Sequence, residues 1–383
     1  MSRKLNADRP KLLLVDTVSS SNDYCVELSS ALKPFFELTV FTVHGTRLRP
    51  SDCHRLIIAF AEYWGNRSKL AKLLTQLRAT AMLAQQLWLH RHGAVHVQFF
   101  RSTVLELPLY LLMRPLLRRL VYSVHNVLPH EPRPWHLSVY RLWYRMPDVL
   151  HVLSHHTAER LVNEFGVRRD RILYAPHGNY SRFMHETPAL DAVETKRRLG
   201  LPPDGCLVLY YGLIRPYKGV DRLIEAAAHV QSGNVHILAA GGCPADVEQT
   251  LRTRMADLHL DGTRCQLQVG HLENQTMSDL IAAADVLVFP YHHIYQSGAL
   301  LMAMTYGKAI IASDLPGFRE YLSPEQTGML CDTADPVAFG RAIDELAGHP
   351  ETRARLASAA VQAASTTYSW PVIAHTLNGA YRG

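Results

Sequence analysis

The sequence predicts an α/β protein with two domains, each built on a parallel β-sheet covered by helices. Short apolar runs typical of buried strands, such as Lys11–Asp16 and Cys206–Gly212, alternate with helical patterns along the chain. The length of 383 residues suits two domains better than one core. A stretch broken by Pro and Gly at Tyr174–Tyr180 marks the boundary. We therefore predict domains over 1–178 and 179–367, followed by a terminal segment over 368–383.

The individual elements follow from hydrophobic periodicity. In the first domain we predict strands over Lys11–Asp16, Leu38–Val43, Arg55–Phe60, Ala94–Phe100, Arg119–Asn126 and Val149–Ser154, and helices over Tyr24–Leu32 and Lys69–His90. In the second domain we predict strands over Cys206–Gly212, Val235–Gly242, Gln266–Gly270, Val286–Tyr291 and Ala309–Ser313. The helices between them are predicted over Gly219–Val230, Pro244–Leu258, Thr276–Ala284 and Ser297–Tyr306, and Tyr368-Ser369-Trp370 opens a last helix.

Composition excludes several classes of protein. The chain is 48% hydrophobic and 19% charged, as globular proteins are. Its apolar runs are too short to cross a bilayer, and the apolar stretch near the N-terminus is interpreted as a strand and not as a signal peptide. Six cysteines without a C-x-x-C pair indicate reduced thiols, so we expect a cytoplasmic protein. The 21 histidines show no zinc-binding spacing, and we expect no metal site.

The two halves differ in charge. Residues 1–182 contain 25 Lys and Arg against 13 Asp and Glu, whereas the remainder contains 15 against 21. A basic first half could serve nucleic acid or an anionic membrane surface. No nucleic-acid-binding motif accompanies it, which favours the membrane. Pro108–Val121, with Arg114, Arg118 and Arg119 among leucines, is the predicted contact, although a buried helix or strand would show the same pattern.

Ligands of open parallel sheets bind beyond the carboxyl ends of the strands. The loop Gly212–Gly219 lies at such an end and offers Arg215 and Lys218, two cations suited to a diphosphate. A solvated basic loop would look the same. Gly241 also ends a strand, where its backbone could approach a ligand or simply pack tightly.

A second candidate lies after the strand that ends near Tyr291. The segment Ser297-Gly298-Ala299 opens a helix whose free N–H groups can receive a phosphate. Ordinary helix capping by Ser297 is the alternative. Together with Gly212, Arg215, Lys218 and Gly241, these three residues form the predicted phosphate-binding set.

The first domain offers candidates for a general base. His125, His130 and Glu131 follow a predicted strand and would lie at the edge of its sheet. Asp23, in the loop after the first strand, is a reserve. A buried structural role is the alternative for each histidine.

Taken together, these segments resemble the GT-B glycosyltransferases over nearly the whole chain. That resemblance implies two Rossmann-like domains whose parallel sheets face each other across a cleft, with a last helix that crosses back to the first domain. The second half resembles the nucleotide-sugar-binding domain of family 4, through Gly212–Gly219 and the strand Asp285–Pro290. The chain departs from family 4 at three positions. Ile294 and Met302 replace two glutamates, and Leu213 replaces an arginine, which puts a retaining mechanism in doubt.

A narrower resemblance is to bacterial β-1,4-mannosyltransferases of exopolysaccharide assembly, of the xanthan type. It rests on Val124–Glu131, Tyr211–Val220, Phe289–Leu301 and His177–Tyr180. This resemblance implies GDP-mannose as the donor, inversion at the anomeric carbon and a lipid-diphosphate-linked oligosaccharide as the acceptor. It also implies an enzyme at the inner face of the cell membrane. The chain contains no D-x-D triplet, which fits neutralisation of the diphosphate by protein groups without a metal.

Three alternatives remain open at this stage. The protein could be a retaining family 4-type glycosyltransferase with a UDP-sugar donor. It could be a sugar-nucleotide epimerase on the same architecture. It could also be a degenerate partner subunit that binds a sugar nucleotide without turning it over.

Overall fold

A computed structural model describes residues 9–18, 22–60, 69–100, 103–129, 133–260, 262, 264–294, 296–323 and 326–382. The chain divides into two compact units. The first consists of Met1–Gly178 together with Trp370–Gly383, and the second of Asn179–Ser369. Each unit contains its own parallel β-sheet, so the predicted pair of α/β domains with Rossmann-like topology is confirmed.

The sheet of the first unit has the order β3-β2-β1-β4-β5-β6-β7 across the described residues, with all neighbours parallel. Its strands are β1 Lys11–Asp16, β2 Glu37–Val43, β3 Arg55–Phe60, β4 Ala94–Phe99, β5 Arg119–Val124, β6 Val149–Val152 and β7 Ile172–Tyr174. Its helices are α1 Asn22–Leu32, α2 Lys69–Leu89, α3 Thr103–Met113, α4 Pro134–Tyr144 and α5 His155–Phe165. In β1, Leu12–Val15 are fully buried, as a central strand covered on both faces requires.

The sheet of the second unit has the order β10-β9-β8-β11-β12-β13 in the described ranges, again all parallel. Its strands are β8 Cys206–Tyr211, β9 Val235–Gly241, β10 Cys265–Val269, β11 Val286–Phe289, β12 Ala309–Ser313 and β13 Met329–Cys331. Its helices are α6 Ser181–Glu186, α7 Ala192–Arg198, α8 Val220–Ala227, α9 Ala245–Asp257, α10 Asn274–Ala283, α11 Gly298–Thr305, α12 Pro316–Arg319, α13 Pro336–Gly348 and α14 Pro350–Ser365.

The last helix, α15 (Trp370–Arg382), belongs to the first unit. It buries Trp370, Ile373, Ala374 and Leu377, the spacing of one helix face. The Trp370 ring passes so close to Gly178 that a Cβ there would lie 2.3 Å from a ring carbon. Only glycine therefore fits at position 178, where the first of the two stretches of this unit ends.

Strands β8 and β9 end one residue before their predicted ends, because a glycine turns the chain at each of them. Gly212 and Gly241 have φ of +108° and +152°, which L-residues with a side chain rarely adopt. Both strands end at this turn, and the loops that follow form the carboxyl edge of the second sheet.

The structure engages two of the three arginines of the predicted membrane contact, Pro108–Val121, within the first unit. This segment contains the end of α3, a short 3-10 turn and the start of β5. Arg114 donates to the carbonyl of Met146 and pairs with Asp148, and Arg119 donates to the carbonyl of Ala380 at 2.7 Å. These two arginines therefore help to hold the unit together, whereas Arg118 is exposed.

Among the helices of the described ranges, none combines the length and the apolar character needed to span a bilayer.

Candidate functional site

Two adjacent strands of the second sheet bring their loops together at its carboxyl edge. β8 and β11 are paired, so the loop that follows Tyr211 lies beside the loop that follows Phe289. The backbone N–H of His292 donates to the carbonyl of Tyr217 at 2.8 Å, which ties the two loops directly. Gly212, Arg215 and Lys218 lie in the first of these loops, and the second leads to Ser297 and the start of α11, whereas Gly241 ends the neighbouring strand β9.

Lys218 is held at this junction by aromatic rings. Its Nζ donates to Oη of Tyr291 at 2.8 Å and lies 4.5 Å from the centre of the same ring. The Tyr217 ring is 5.7 Å away. Burial alone would lower the pKa of the ammonium group, but the interactions with Tyr291 and Tyr217 outweigh it and raise the pKa. Lys218 therefore remains a preorganised cation at neutral pH.

The backbone of the loop is pressed against its neighbour. Gly219 has φ of +71°, and a Cβ on it would lie 1.9 Å from the carbonyl oxygen of Pro290. Gly241 packs in the same way, since its Cβ would lie 1.8 Å from the carbonyl oxygen of Gly212. Close packing of backbone thus accounts for the glycine at 241, which was the alternative to an approach by a ligand.

Arg215 is exposed and borders a cavity of about 570 Å³. The cavity is lined by Ile214, Arg215, Pro216, Tyr217, Val220, Asp221, Val247, Thr250, Leu251, His292 and His293. Its volume is in the range of small-molecule sites. Its walls are largely apolar, and Arg215 supplies a cation at its rim.

The second predicted phosphate contact is the start of α11. Oγ of Ser297 accepts a hydrogen bond from the N–H of Leu300 at 3.2 Å, so this side chain caps the helix. Oη of Tyr211 donates to the carbonyl of Ala299 at 2.6 Å and fixes the first turn to β8. Helix geometry leaves the N–H groups of Gly298 and Ala299 without intrahelical acceptors, and such groups attract anions.

In the first unit, His125 lies just beyond the carboxyl end of β5 and is 5% exposed. Its Nε2 is 2.9 Å from Oε1 of Gln98, and its ring stacks on Phe99 with centroids 4.2 Å apart. Burial, followed by nearby His151 and His177, lowers the pKa of His125 well below the usual value. The ring is therefore neutral at pH 7.

Three further residues were predicted as candidate bases. His130 and Glu131 lie outside the described residues. Asp23 forms an ion pair with Arg47, so its carboxylate is already engaged within the unit.

Two residues of this arrangement were missed in the sequence. Arg222 donates from Nη1 to the carbonyl of Tyr291 at 3.3 Å and to Oγ1 of Thr333 at 3.2 Å, supporting the same loop. Gln98 was passed over inside a predicted strand. The sequence contained a clue to Gln98, because residues 96 and 98 are both polar and a buried strand places them on the same side of the sheet.

Within the described ranges, no three His, Cys, Asp or Glu side chains lie close enough together to hold a metal ion.

Two family models match the chain. Residues 21–178 match the model described as "Glycosyl transferase 4-like domain", and residues 191–363 match "Glycosyl transferases group 1".

Similar curated proteins include D-inositol 3-phosphate glycosyltransferases. The protein from Xylanimonas cellulosilytica is 30% identical over 61% of this chain and 56% of its own length. The protein from Acidothermus cellulolyticus is 28% identical over 59% and 51%, respectively. The chain thus spans about half the length of these curated relatives.

Solved structures share the architecture. Sucrose-phosphate synthase from Thermosynechococcus elongatus has a TM-score of 0.77, with 19% identity over 98% of both chains. HepE from Anabaena in complex with UDP has a TM-score of 0.76, with 18% identity over 96% of this chain and 98% of its own. HepE has also been solved with UDP-glucose. At these identities the likeness shows the fold alone.

Proposed function

Because the chain belongs to the GT-B glycosyltransferases, with a 4-like first domain and a group 1 second domain, we propose that it transfers a sugar from a nucleotide-sugar donor. The acceptor is a hydroxyl group of a second molecule. The observation that carries this proposal is the junction of the loops after β8 and β11, where Lys218 is fixed as a cation by Tyr291. A cation held in place before the donor binds stabilises the charge that builds on a departing diphosphate.

The donor diphosphate is proposed to bind to Lys218, Arg215 and the N–H groups that open α11. Lys218 supplies a fixed charge, Arg215 an exposed one, and the first turn of α11 the positive end of a helix dipole. Gly298 and Ala299 act through their backbone, whereas Ser297 keeps the helix start in place. Charge neutralisation in this scheme comes from protein groups.

We propose GDP-mannose as the donor and inversion as the stereochemical course. Inversion is supported by Ile294 and Met302, which are apolar where family 4 retaining enzymes carry glutamates. Met302 is 5% exposed and packs in the core of the second unit, as an apolar side chain does, and it offers no carboxylate. The choice of mannose rests on the resemblance to xanthan-type mannosyltransferases alone.

The proposed acceptor is a lipid-diphosphate-linked oligosaccharide of bacterial exopolysaccharide synthesis, met at the cytoplasmic face of the membrane. Helix α2 supports a membrane contact. Leu70, Leu73, Leu74 and Leu77 follow the spacing of one helix face and are 66%, 51%, 58% and 46% exposed. The helix contains no acidic residue, and the first unit carries 25 Lys and Arg against 13 Asp and Glu. An apolar stripe on a basic surface fits an anionic bilayer.

A retaining transfer from a UDP-sugar is the second candidate. It is favoured by the structures of HepE with UDP and UDP-glucose, which share this fold. Here UDP would occupy the same loops, and the product would keep the anomeric configuration of the donor.

Turnover of the purified full-length protein tests the proposal. GDP-mannose and UDP-glucose are each incubated with a synthetic prenyl-diphosphate-linked oligosaccharide, and product is followed by mass spectrometry. Transfer from GDP-mannose with a β-linkage in the NMR spectrum supports the inverting proposal, and an α-linked product from UDP-glucose supports the retaining one. Turnover without any acceptor would indicate an epimerase. Binding without turnover under all conditions would indicate a partner subunit.

A further inference from the structure

A chain of buried polar groups runs through the first unit beside His125. Oη of Tyr381, on α15, is 2.7 Å from Nδ1 of His96, and Nε2 of His96 is 2.8 Å from Oγ of Ser123. The same Oγ is 2.7 Å from Nδ1 of His151, whose Nε2 is 2.9 Å from the carbonyl oxygen of Ala175. All four side chains are buried.

The carbonyl group at one end fixes every proton in this chain. A carbonyl oxygen only accepts, so Nε2 of His151 carries a proton and donates to Ala175. His151 is neutral, because burial lowers its pKa to about 4, and its Nδ1 must therefore accept from Ser123. Oγ of Ser123 has then used its proton and accepts from Nε2 of His96. Nδ1 of His96 in turn accepts from the hydroxyl group of Tyr381.

This assignment determines how Gln98 is oriented. Both ring nitrogens of His96 are already engaged by Ser123 and Tyr381. The amide nitrogen of Gln98 is 3.0 Å from Nε2 and 3.5 Å from Nδ1 of this ring. An atom in the ring plane could not approach both nitrogens so closely without overlapping the carbon between them, so the amide lies over the ring face. The π-electrons there favour an N–H group over a carbonyl oxygen.

With the NH₂ group of Gln98 over His96, its Oε1 faces Nε2 of His125 at 2.9 Å. An amide oxygen accepts, so His125 carries its proton on Nε2, and its Nδ1 is an unprotonated lone pair. Within the described ranges this Nδ1 has no hydrogen-bond partner. It lies next to the carboxyl end of β5, at the edge of the sheet where ligands of parallel sheets bind.

We infer that Gln98 is a positioning residue that holds His125 in the Nε2–H tautomer, so that Nδ1 accepts a hydrogen bond from a sugar hydroxyl group. This inference rests on the proposed glycosyltransferase function for the identity of the ligand. In this role His125 orients a hydroxyl group and does not act as a general base that takes its proton. A buried imidazole binds a proton weakly, and the neutral amide of Gln98 adds no charge to retain one.

The tautomer is measured directly by long-range ¹H–¹⁵N NMR of the full-length protein labelled with [¹⁵N]histidine, with H125N to assign the signal. In the wild type, His125 is expected to be protonated on Nε2 and unprotonated on Nδ1 throughout pH 6–8. Gln98→Leu is expected to lose this preference. Tyr381→Phe changes the far end of the hydrogen-bonded series of side chains and is expected to keep it. A proton on Nδ1 in the wild type, or an unchanged tautomer in Gln98→Leu, would overturn the inference.

Gln98→Glu separates orientation from base catalysis. A carboxylate facing Nε2 raises the pKa of His125, so Nδ1 becomes protonated and no longer accepts. We expect kcat/KM to be flat over pH 6–8 in the wild type and to fall at the acidic end in Gln98→Glu. Higher activity of Gln98→Glu throughout would show that His125 is a base and contradict the inferred role. Since the tautomer is read without substrate, a correct tautomer in a protein without transferase activity would refute the proposed function and not the tautomer.

Discussion

Nζ of Lys218 donates a hydrogen bond to Oη of Tyr291 at 2.8 Å, and this bond joins the loop after β8 to the loop after β11. Tyr291 is completely buried, so its hydroxyl group gives the ammonium a fixed partner. A long lysine side chain usually loses conformational freedom when it binds an anion. Here that freedom is already restricted before any ligand arrives, because Tyr291 holds the ammonium group at the junction of the two loops.

Replacing Tyr291 with Phe tests this relationship. The change removes Oη and keeps the ring, so the cation–π contact survives while the hydrogen bond is lost. We expect the affinity for a nucleoside diphosphate to fall by about 0.5–1.5 kcal/mol, measured by calorimetric titration. In a protein that already carries Lys218→Met, the same change should have no further effect on affinity. Equal losses in both backgrounds would show that Tyr291 acts independently of Lys218.

Gly219 and Gly200 form a matched pair for the packing of the loop. Their φ angles are +71° and +72°, but a Cβ at Gly219 would meet the carbonyl of Pro290, whereas one at Gly200 meets nothing within 4 Å. Gly200→Ala should cost only the strain of the left-handed backbone, about 1–2 kcal/mol. Gly219→Ala should cost a further 1–3 kcal/mol, roughly, from overpacking. Similar shifts in the calorimetric unfolding midpoint for both variants would mean that the loops can move apart.

The buried histidines of the first unit make its stability depend on pH. Burial lowers the pKa of both His151 and His177 to about 4, whereas the unfolded chain titrates near 6.5. Between these values the unfolded state binds more protons than the folded state. The contribution of these histidines to the free energy of unfolding is therefore fully present above pH 6.5 and decreases as the pH falls towards 4. Each of these histidines should contribute about 1.4 kcal/mol per pH unit well below 6.5.

Thermal unfolding between pH 7.5 and 5 measures this dependence. His151→Gln should reduce the slope by the share of one group, while His375→Gln, at an exposed position of α15, should leave it unchanged. A slope that is the same in all three proteins would show that the buried histidines do not titrate on unfolding.

Exposed leucines on α2 make a prediction for membrane binding. Introducing charge with Leu73→Glu and Leu77→Glu together should abolish sedimentation with vesicles of phosphatidylglycerol and phosphatidylcholine. Val372→Glu is the control, because Val372 is 50% exposed on α15 of the same unit. Vesicle binding should also decrease as salt is raised. Unchanged binding of the double variant would remove α2 from the contact surface.

Hydrophobic periodicity was sufficient to predict most strands of both sheets, because buried parallel strands are continuous apolar runs. It missed β7 and β13, which are three residues long and only half-buried. It also missed helices α3 to α7 and α12 to α14. Two of these, α5 and α13, bury side chains at helical spacing and so carried a pattern that was overlooked. Short edge strands carry little hydrophobic pattern, and tertiary packing decides them.

In the candidate site, too, some features could be predicted from the sequence and others depend on tertiary packing. Strand-to-helix order placed Lys218 and Arg215 at the edge of the sheet, because that edge follows from topology. Neither the partnership of Lys218 with Tyr291 nor that of His125 with Gln98 could be predicted, since each joins residues that are far apart in the sequence. The capping role of Ser297 could not be separated from phosphate binding either, because both use the same helix end.

Nucleoside diphosphate binding to the second unit tests the central claim most directly. The thermal midpoint of the full-length protein is measured with GDP, UDP, ADP and dTDP, for the wild type, Lys218→Met and Arg252→Met. Arg252 is an exposed cation on α9 paired with Glu248, and serves as the control. We predict that GDP stabilises the wild type and Arg252→Met alike, and that Lys218→Met weakens binding at least tenfold, since a charge-assisted hydrogen bond contributes about 1.5–3 kcal/mol. Stabilisation by UDP alone would keep the site and replace the donor, whereas no stabilisation by any nucleotide, or equal stabilisation of Lys218→Met, would contradict the account.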